Sequence, residues 1–575
     1  MPQSTTPSFR DAESSARVRH SVQWPTIAYG ALAAIPVVAI LRLPALASQD
    51  GGLHLASAVA VDGLLAGRWP GLLEWKAILS PNLTIELVLV ALLKLFSPDA
   101  ALRITVGAAL ILFAVAVAAL TRAAGGSMLL GVLFLPFQAS YLLNAGLLGF
   151  VFAMPLGIYA VALVVRRPNR PPRVALAILL AITWCTHLVP AIAATCTIFV
   201  VTLVAELVAT NGSVGRRLMI ATRATVRTLL VPASPVIVLT LAWLLTSGVL
   251  SKDLSNPPHS VWAAFRAVVG MTYATVSYVD AELWIYRYFA LVLYALAVAI
   301  LVARKKSRKG SHFRLQSLDG LLLAAIIFAI FAIVVPDASP SGAVYVASRV
   351  SLFSSLLFVA WIVSQLASLL PAPGGRASTG VKSISVVAVI SAVCVLAAAA
   401  AVRLPAQEIA GREAVAIRSV GDCIPEGSTI IQLRLADESR YSSRVRPVVH
   451  EDGSLAATRS LLALDNESGY YPFYQWEFTD RARADRLLLT ERSGAVHVPP
   501  AVDLGRAVRE GFPLNAVLLY GRSVAAAGLQ SEPRAVALQR DLEAHFKLVE
   551  QAGDGLVELW LRRDLRSPCS ATNGR

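Results

Sequence analysis

From about Thr26 to Val402 the apolar residues fall into blocks of about twenty, the length at which a helix crosses the hydrocarbon core of a bilayer. Lipid offers no partner for backbone N–H and C=O groups, so such blocks must be helices that bond internally. Of the 575 residues, 56% are hydrophobic and only 15% charged, against roughly a quarter charged in soluble domains. After Arg403 the composition becomes that of an ordinary globular domain. The sequence therefore predicts a polytopic α-helical membrane protein with a small C-terminal α/β domain. The net charge of +15 does not indicate a nucleic-acid partner. Most basic clusters sit beside apolar blocks, the pattern that orients membrane helices.

Charge then places the loops. Residues 1–24, with Arg10, Arg17 and Arg19, form a cytoplasmic arm. Ala45-Leu46-Ala47 resembles a signal-peptidase site, but the run from Trp24 to Ala47 is longer than a signal core and contains Arg42. It reads as an uncleaved first span, 25–47. Residues 49–100 read as one outer loop with amphipathic, partly embedded helices. Letting 83–96 cross would put the arginines of 166–173 outside. The other spans are 101–121, 127–144, 147–165, 174–188, 190–209, 229–249, 285–303, 318–336, 344–370 and 383–402. That makes about eleven. Residues 250–284 form a second outer loop. Residues 25–403 are the membrane domain and 404–575 lie outside the cytoplasm. The Ala/Leu/Arg-rich composition suits a bacterial inner membrane.

In the C-terminal domain, Thr429–Leu435, Ala516–Tyr520, Phe546–Glu550 and Val557–Leu561 read as strands, and Ala535–His545 as a helix. Gly553-Asp554-Gly555 predicts a hairpin between the last two strands. Cys423 and Cys569 near its ends are either a disulfide, which an outer compartment allows, or two free thiols.

The sequence carries no phosphate loop, dinucleotide fingerprint, HExxH or paired CxxC, so soluble-enzyme templates find nothing. Polar residues instead gather at the outer membrane face. Asp50 and His54 are four apart, on one face of a helix starting there. Asp50 is a candidate general base, or simply that helix's N-cap. Lys76 follows Trp69 and Trp75, and either meets a phosphate or snorkels beside the tryptophans. Tyr278, Asp280, Glu282 and Arg287 line a cavity or form a solvated loop. Arg349 lies about one turn into a span, where arginine faces a cavity or partner. His187, between two apolar helices, is a core or a cavity residue. Asn82-Leu83-Thr84 matches a glycosylation acceptor pattern that matters only in a secretory host.

This arrangement resembles the GT-C superfamily of membrane glycosyltransferases, which includes protein O-mannosyltransferases and aminoarabinose transferases. The resemblance rests on six features: Asp50 after the first helix; Gly67-Arg68-Trp69-Pro70 after an amphipathic helix; the apolar stretch Pro81–Phe96; Asp99-Ala100-Ala101-Leu102-Arg103 opening the next span; the Arg-rich inner loop after the fourth span; and Arg349 ending a late outer loop. It covers about residues 25–370. Many members carry a second acidic motif where this chain has Asn144-Ala145-Gly146. The resemblance implies transfer of a sugar from a polyprenyl-phosphate donor to an envelope glycan, lipid or protein acceptor outside the cytoplasm. Asp50 would be the base, with His54 positioning either partner. Lys76, Arg349 and Arg287 would bind the leaving phosphate. His187, Tyr278, Asp280 and Glu282 would line the acceptor cavity. No metal or other cofactor is implied, and the partners besides the substrates are membrane lipids. Two other readings stay open: a transporter of lipid-linked glycans, and a non-catalytic assembly protein. A transporter predicts internal repeats and charges near mid-span. The sequence shows no repeat, and its mid-span regions are almost free of charge. An assembly protein predicts that Asp50 is dispensable.

Overall fold

The computed structural model describes residues 9–76, 80–247, 260–306, 315–337, 345–369, 379–435, 444–470, 474–483, 502–523 and 532–571. Residues 250–259 of the second outer loop, 307–309 of a basic run and 338–344 of the last outer loop lie outside these.

The chain opens with α1 (Phe9–Arg42). The first outer segment then holds α2 (Gly51–Leu65), β1 (Leu73–Trp75) and α3 (Leu83–Leu93). The bundle continues through α4 (Pro98–Ala123), α5 (Leu148–Arg166), α6 (Arg173–Thr186), α7 (Leu188–Ala209) and α8 (Val214–Thr246). It closes with α9 (Ala281–Lys306), α10 (Asp319–Val334), α11 (Val346–Leu369) and α12 (Thr379–Ser419). Among the described residues, eight helices are long and apolar enough to cross a membrane: α1 from Trp24, α4, α5, α7, α8, α9, α11 and α12. The protein is a multi-pass membrane protein. Ile27, Val38, Ile111, Val231 and Leu291 are exposed, as side chains facing lipid must be.

The expected span 127–144 is not one helix. It is three short pieces, Met128–Gly131, Val132–Phe137 and Tyr141–Asn144, with Pro136 inside the second. Val132, Leu133, Phe134 and Leu135 are fully buried, so this block is apolar because protein surrounds it. Proline removes a helical donor and crowds the preceding turn, which breaks the run. The expected span 229–249 starts earlier, because α8 begins at Val214, takes in Arg216, Arg217, Arg223 and Arg227, and continues through Pro232 and Pro235 to Thr246. The helix α12 likewise runs on past Arg403 to Ser419. Among the outer-segment helices, α2 is not amphipathic, since Leu53–Val61 is buried on every face. Its second covering is the C-terminal domain.

That domain contains β2 (Thr429–Arg434), α13 (Asp452–Arg459), β3 (Leu462–Ala463), β4 (Trp476–Phe478) and β5 (Ala516–Tyr520). After these come α14 (Pro533–His545), β6 (Phe546–Ala552) and β7 (Val557–Arg562). Five strands form one mixed sheet, ordered β3-β2-β5-β7-β6. β2 runs parallel to β3 and β5, and β7 antiparallel to β5 and β6. The β6–β7 hairpin turns through Gly553, Asp554 and Gly555, all at positive φ, which is why that turn calls for Gly and Asp. Cys423 and Cys569 are joined by a disulfide.

β4 leaves the domain to pair antiparallel with β1, Leu73 opposite Phe478 and Trp75 opposite Trp476. Trp69 Nε1 donates to the Gly427 carbonyl at 2.9 Å. The tightest contact is between glycines. A Cβ on Gly52 would lie 1.7 Å from the His450 carbonyl oxygen, and one on Gly453 1.9 Å from the Gly52 oxygen. Only glycine permits such backbone approach. A chain of ion pairs runs beside this seam. Arg418 of α12 pairs with Glu451 at 2.5 Å and with Asp99 of α4 at 2.8 Å. Asp99 also pairs with Arg103, whose Nη2 donates to Leu43 O at 2.8 Å. The segment 49–100 and the C-terminal domain are thus one packed layer over one end of the bundle.

Candidate functional site

The site is built from the backbone around Asp50. Asp50 N donates to Ala145 O at 2.8 Å. Gly146 has φ +81°, and a Cβ there would lie 2.6 Å from Gly51 N. The turn Asn144-Ala145-Gly146 therefore seats the start of α2. Asp50 occupies the N-cap position of α2, yet its side chain makes no capping hydrogen bond. Its charge acts instead on Tyr345, Arg349 and Tyr474, which come from an outer loop, α11 and the C-terminal domain.

Arg349 lies one turn into α11, with its guanidinium 5.8 Å over the Phe150 ring. Its Nε is buried without a hydrogen-bond partner, and no carboxylate among the described residues lies within ion-pair distance of it. A half-buried guanidinium with its Nε shut from solvent and no carboxylate partner among the described residues is a site that an anion joins favourably. Tyr345 has φ +60°, a strained conformation for a bulky residue. Its hydroxyl accepts from Gln49 Nε2 at 2.8 Å. Burial and then the Asp50 charge hold the Tyr345 phenol above its ordinary pKa. Burial and then Glu86 raise Tyr474 in the same way. Both phenols are therefore neutral hydrogen-bonding groups at neutral pH.

Two further layers hold these groups. His54 Nδ1 lies 3.2 Å from Glu86 Oε1, both buried, and Glu86 Oε2 has no hydrogen-bond partner among the described residues. His187 Nδ1 accepts from Val189 N at 3.2 Å, and the ring meets Phe150 edge-on at 5.6 Å. His187 lies within electrostatic range of both Arg349 and His54. Arg444, from the C-terminal domain, stacks on Tyr141 at 3.8 Å and donates to Thr272 O at 2.9 Å and Ser348 Oγ at 3.2 Å. The Asp337 carboxylate accepts from Ser348 N and Oγ, each at 2.9 Å, which fixes the first turn of α11 below Arg349.

No protein-family model matches the chain, and no curated protein does. Among solved structures it is similar to ArnT from Cupriavidus metallidurans in the apo state, at 13% identity and TM-score 0.49, over 94% of this chain and 98% of that one. It is similar to ArnT from the same organism bound to undecaprenyl phosphate, at 11% identity and TM-score 0.49 over the same shares.

The remaining residues singled out from the sequence lie elsewhere. The Lys76 ammonium pairs with Glu477 of β4 at 3.4 Å, so it serves the β1–β4 junction. Arg287 lies 5.3 Å over the exposed Trp284 ring, and no contact joins it to Asp50 or Arg349. Glu282 is fully buried and accepts from the backbone N–H groups of Ser277, Tyr278 and Val279. It also pairs with Arg403 of α12 at 2.6 Å. Burial pushes the Tyr278 phenol up to about 12, and Asp280 is exposed. Glu282 and Tyr278 thus knot α9 to α12 rather than lining an acceptor cavity. Asp50, His54, His187 and Arg349 come together, while Lys76, Arg287, Tyr278, Asp280 and Glu282 do not join them. The sequence drew attention to Tyr345, beside Arg349, without giving it a role; it gave none to Glu86 and missed Tyr474. Glu86 had a signal, being a carboxylate in an apolar stretch. Tyr474 comes from a segment whose placement only the tertiary fold decides.

Proposed function

We propose that the protein is an integral membrane glycosyltransferase that moves a sugar from a polyprenyl-phosphate donor to an acceptor outside the cytoplasm. The carrying observation is the Arg349 guanidinium, without an ion pair among the described residues and within electrostatic range of the Asp50 carboxylate. A half-buried cation with its Nε shut from solvent and no carboxylate partner among the described residues favours an anionic ligand, and a phosphate fits it bidentately. A carboxylate near that anion can take a proton from an acceptor hydroxyl.

In this reading the acceptor oxygen loses its proton to Asp50 and bonds to the anomeric carbon. The bond from that carbon to the phosphate oxygen breaks, and the electron pair leaves with the polyprenyl phosphate. Arg349 stabilises the charge that develops there. Tyr345 and Tyr474, neutral and hydrogen-bonding, orient the sugar or the acceptor. His54 and Glu86 hold the first turns of α2 and α3 in place. The motifs from Asp50 to Arg103 support the same reading. So does the clustering of ionisable groups at one face, where a transporter needs them along a path. The orientation that goes with it puts the N-terminus in the cytoplasm and the C-terminal domain outside a bacterial inner membrane.

Donor binding tests the phosphate role. Nanodisc-embedded protein should bind one of a panel of polyprenyl-phosphate sugars. Arg349→Ala should bind it about tenfold or more weakly, the loss of a charge-assisted contact. Binding unchanged in Arg349→Ala would remove the phosphate site.

A further inference from the structure

We propose a phospholipid site in the groove between α1 and α12, taking one acyl chain of an anionic phospholipid with its phosphate at Arg42. The groove encloses about 420 Å³, within the range of ligand sites. Its wall on α1 is the stripe Ala31, Ile35, Val38 and Arg42. Its wall on α12 is the matching stripe Leu396, Ala400, Arg403 and Gln407. Both follow one helix face over eleven residues, a rise of about 16 Å. That is about half of the 30 Å hydrocarbon core, the depth of one leaflet. Leu110, Pro136 and Leu143 form the floor.

What fills such a groove follows from its surroundings. Ile35 and Val38 on its rim are exposed apolar residues of a membrane-spanning helix. The solvent there is hydrocarbon, and a dry apolar recess takes an apolar chain. The end of the groove at Arg42 and Gln407 is polar and selects the head. Arg42 is exposed and has no ion pair or hydrogen bond among the described residues. Arg403 is already occupied by Glu282, Ala139 O, Thr275 O and the Tyr286 hydroxyl. Inside, Asn144 Nδ2 is taken by Ala139 O and Ser277 Oγ, and Gln407 Nε2 by Asn144 Oδ1, so Arg42 at the mouth is the cation left unpaired among the described residues and suits a phosphate there. A polyprenyl chain of many isoprene units overruns a groove of this depth. The site is therefore separate from the proposed donor site and does not rest on it.

The test is native mass spectrometry of the full chain released from nanodiscs containing phosphatidylglycerol in a phosphatidylcholine background. The wild type should retain one phosphatidylglycerol. Arg42→Gln should weaken retention about fivefold, the value of one partly exposed charge contact. Ala400→Phe and Ala39→Phe, which fill the groove from opposite walls, should abolish it while circular dichroism shows the helices intact. Retention equal to wild type in Arg42→Gln, or in both filling variants, overturns the proposal. So does stoichiometric displacement of phosphatidylglycerol by polyprenyl phosphate.

Discussion

The Gly52–Gly453 contact makes the sharpest prediction about how the site is held. Substituting Gly52→Ala adds a Cβ 1.7 Å from the His450 oxygen and 2.7 Å from its carbonyl carbon. Both are backbone atoms, so no rotamer change relieves the clash. The His450–Gly453 segment must retreat by more than an ångström to reach an ordinary contact. That retreat strains the hydrogen bond from Asp452 N to Gln432 Oε1, 3.0 Å long, and the Arg418–Glu451 pair. Overpacking of this kind costs about 1–3 kcal/mol. For a domain of about this size the corresponding loss is roughly 2–10 °C in melting temperature. Asp50 sits two residues away, and a misplacement of about 1 Å in a site can cost about a hundredfold in rate. Gly30→Ala is the control, because a Cβ there meets nothing within 4 Å. The assay is thermal unfolding in nanodiscs, with hydrogen exchange across residues 444–470. Gly52→Ala should melt earlier and lose protection there, and Gly30→Ala should not. A Gly52→Ala protein with wild-type melting and protection would refute the seam as described.

Four more perturbations follow from the structure. Glu282→Gln leaves the Arg403 guanidinium buried without its counter-ion and should destabilise the membrane domain by about 3–5 kcal/mol; paired with Arg403→Met the loss should shrink, which denaturant titration of both variants can check. Burial holds His450 at about 3, with Arg434 and His54 adding to the effect. The unfolded chain therefore takes up a proton near pH 6.5 that the folded chain refuses. Stability should be full above that pH and fall toward about 3 by at most about 1.4 kcal/mol per pH unit. His450→Gln should flatten that slope, and an unchanged slope would show that His450 does not titrate this way. Asp452 is pushed well above the usual carboxylate range by burial and its neighbour Asp465, with which it shares a hydrogen bond; that term acts oppositely, losing stability as pH rises, and Asp452→Asn should remove it. Removing the Cys423–Cys569 bridge, which closes a separation of 146 residues, should cost about 2–5 kcal/mol in a Cys423→Ser, Cys569→Ser double variant, measured by denaturant unfolding.

Much of the membrane part was legible because lipid imposes a simple rule, a block of about twenty apolar residues bonded internally. The rule failed where protein replaces lipid. Residues 127–144 and α2 are as apolar as a span but are buried in the molecule, and hydropathy cannot tell the two surroundings apart. The strands were readable from local alternation and the hairpin from Gly-Asp-Gly. The short β3 and the β1–β4 pairing were not, since pairing across some four hundred residues leaves no local trace. In the site, Asp50 and Arg349 stood out as charges beside apolar runs. Lys76 and Glu282 stood out for the same reason, yet they meet Glu477 and Arg403, partners that lie far along the chain. Asn144-Ala145-Gly146 drew notice for the acid it lacks, whereas its role is to seat Asp50 through the Ala145 carbonyl and the open face of Gly146.

The most direct test of the central claim is single-turnover sugar transfer by nanodisc-embedded wild type and Asp50→Asn, with a donor shown to bind both. The isosteric amide keeps the shape of α2's first turn but cannot take a proton. The reading predicts unchanged donor binding and a transfer rate at least about a hundredfold lower. Transfer at the wild-type rate by Asp50→Asn would contradict it and leave the Asp50–Arg349 cluster without a catalytic role.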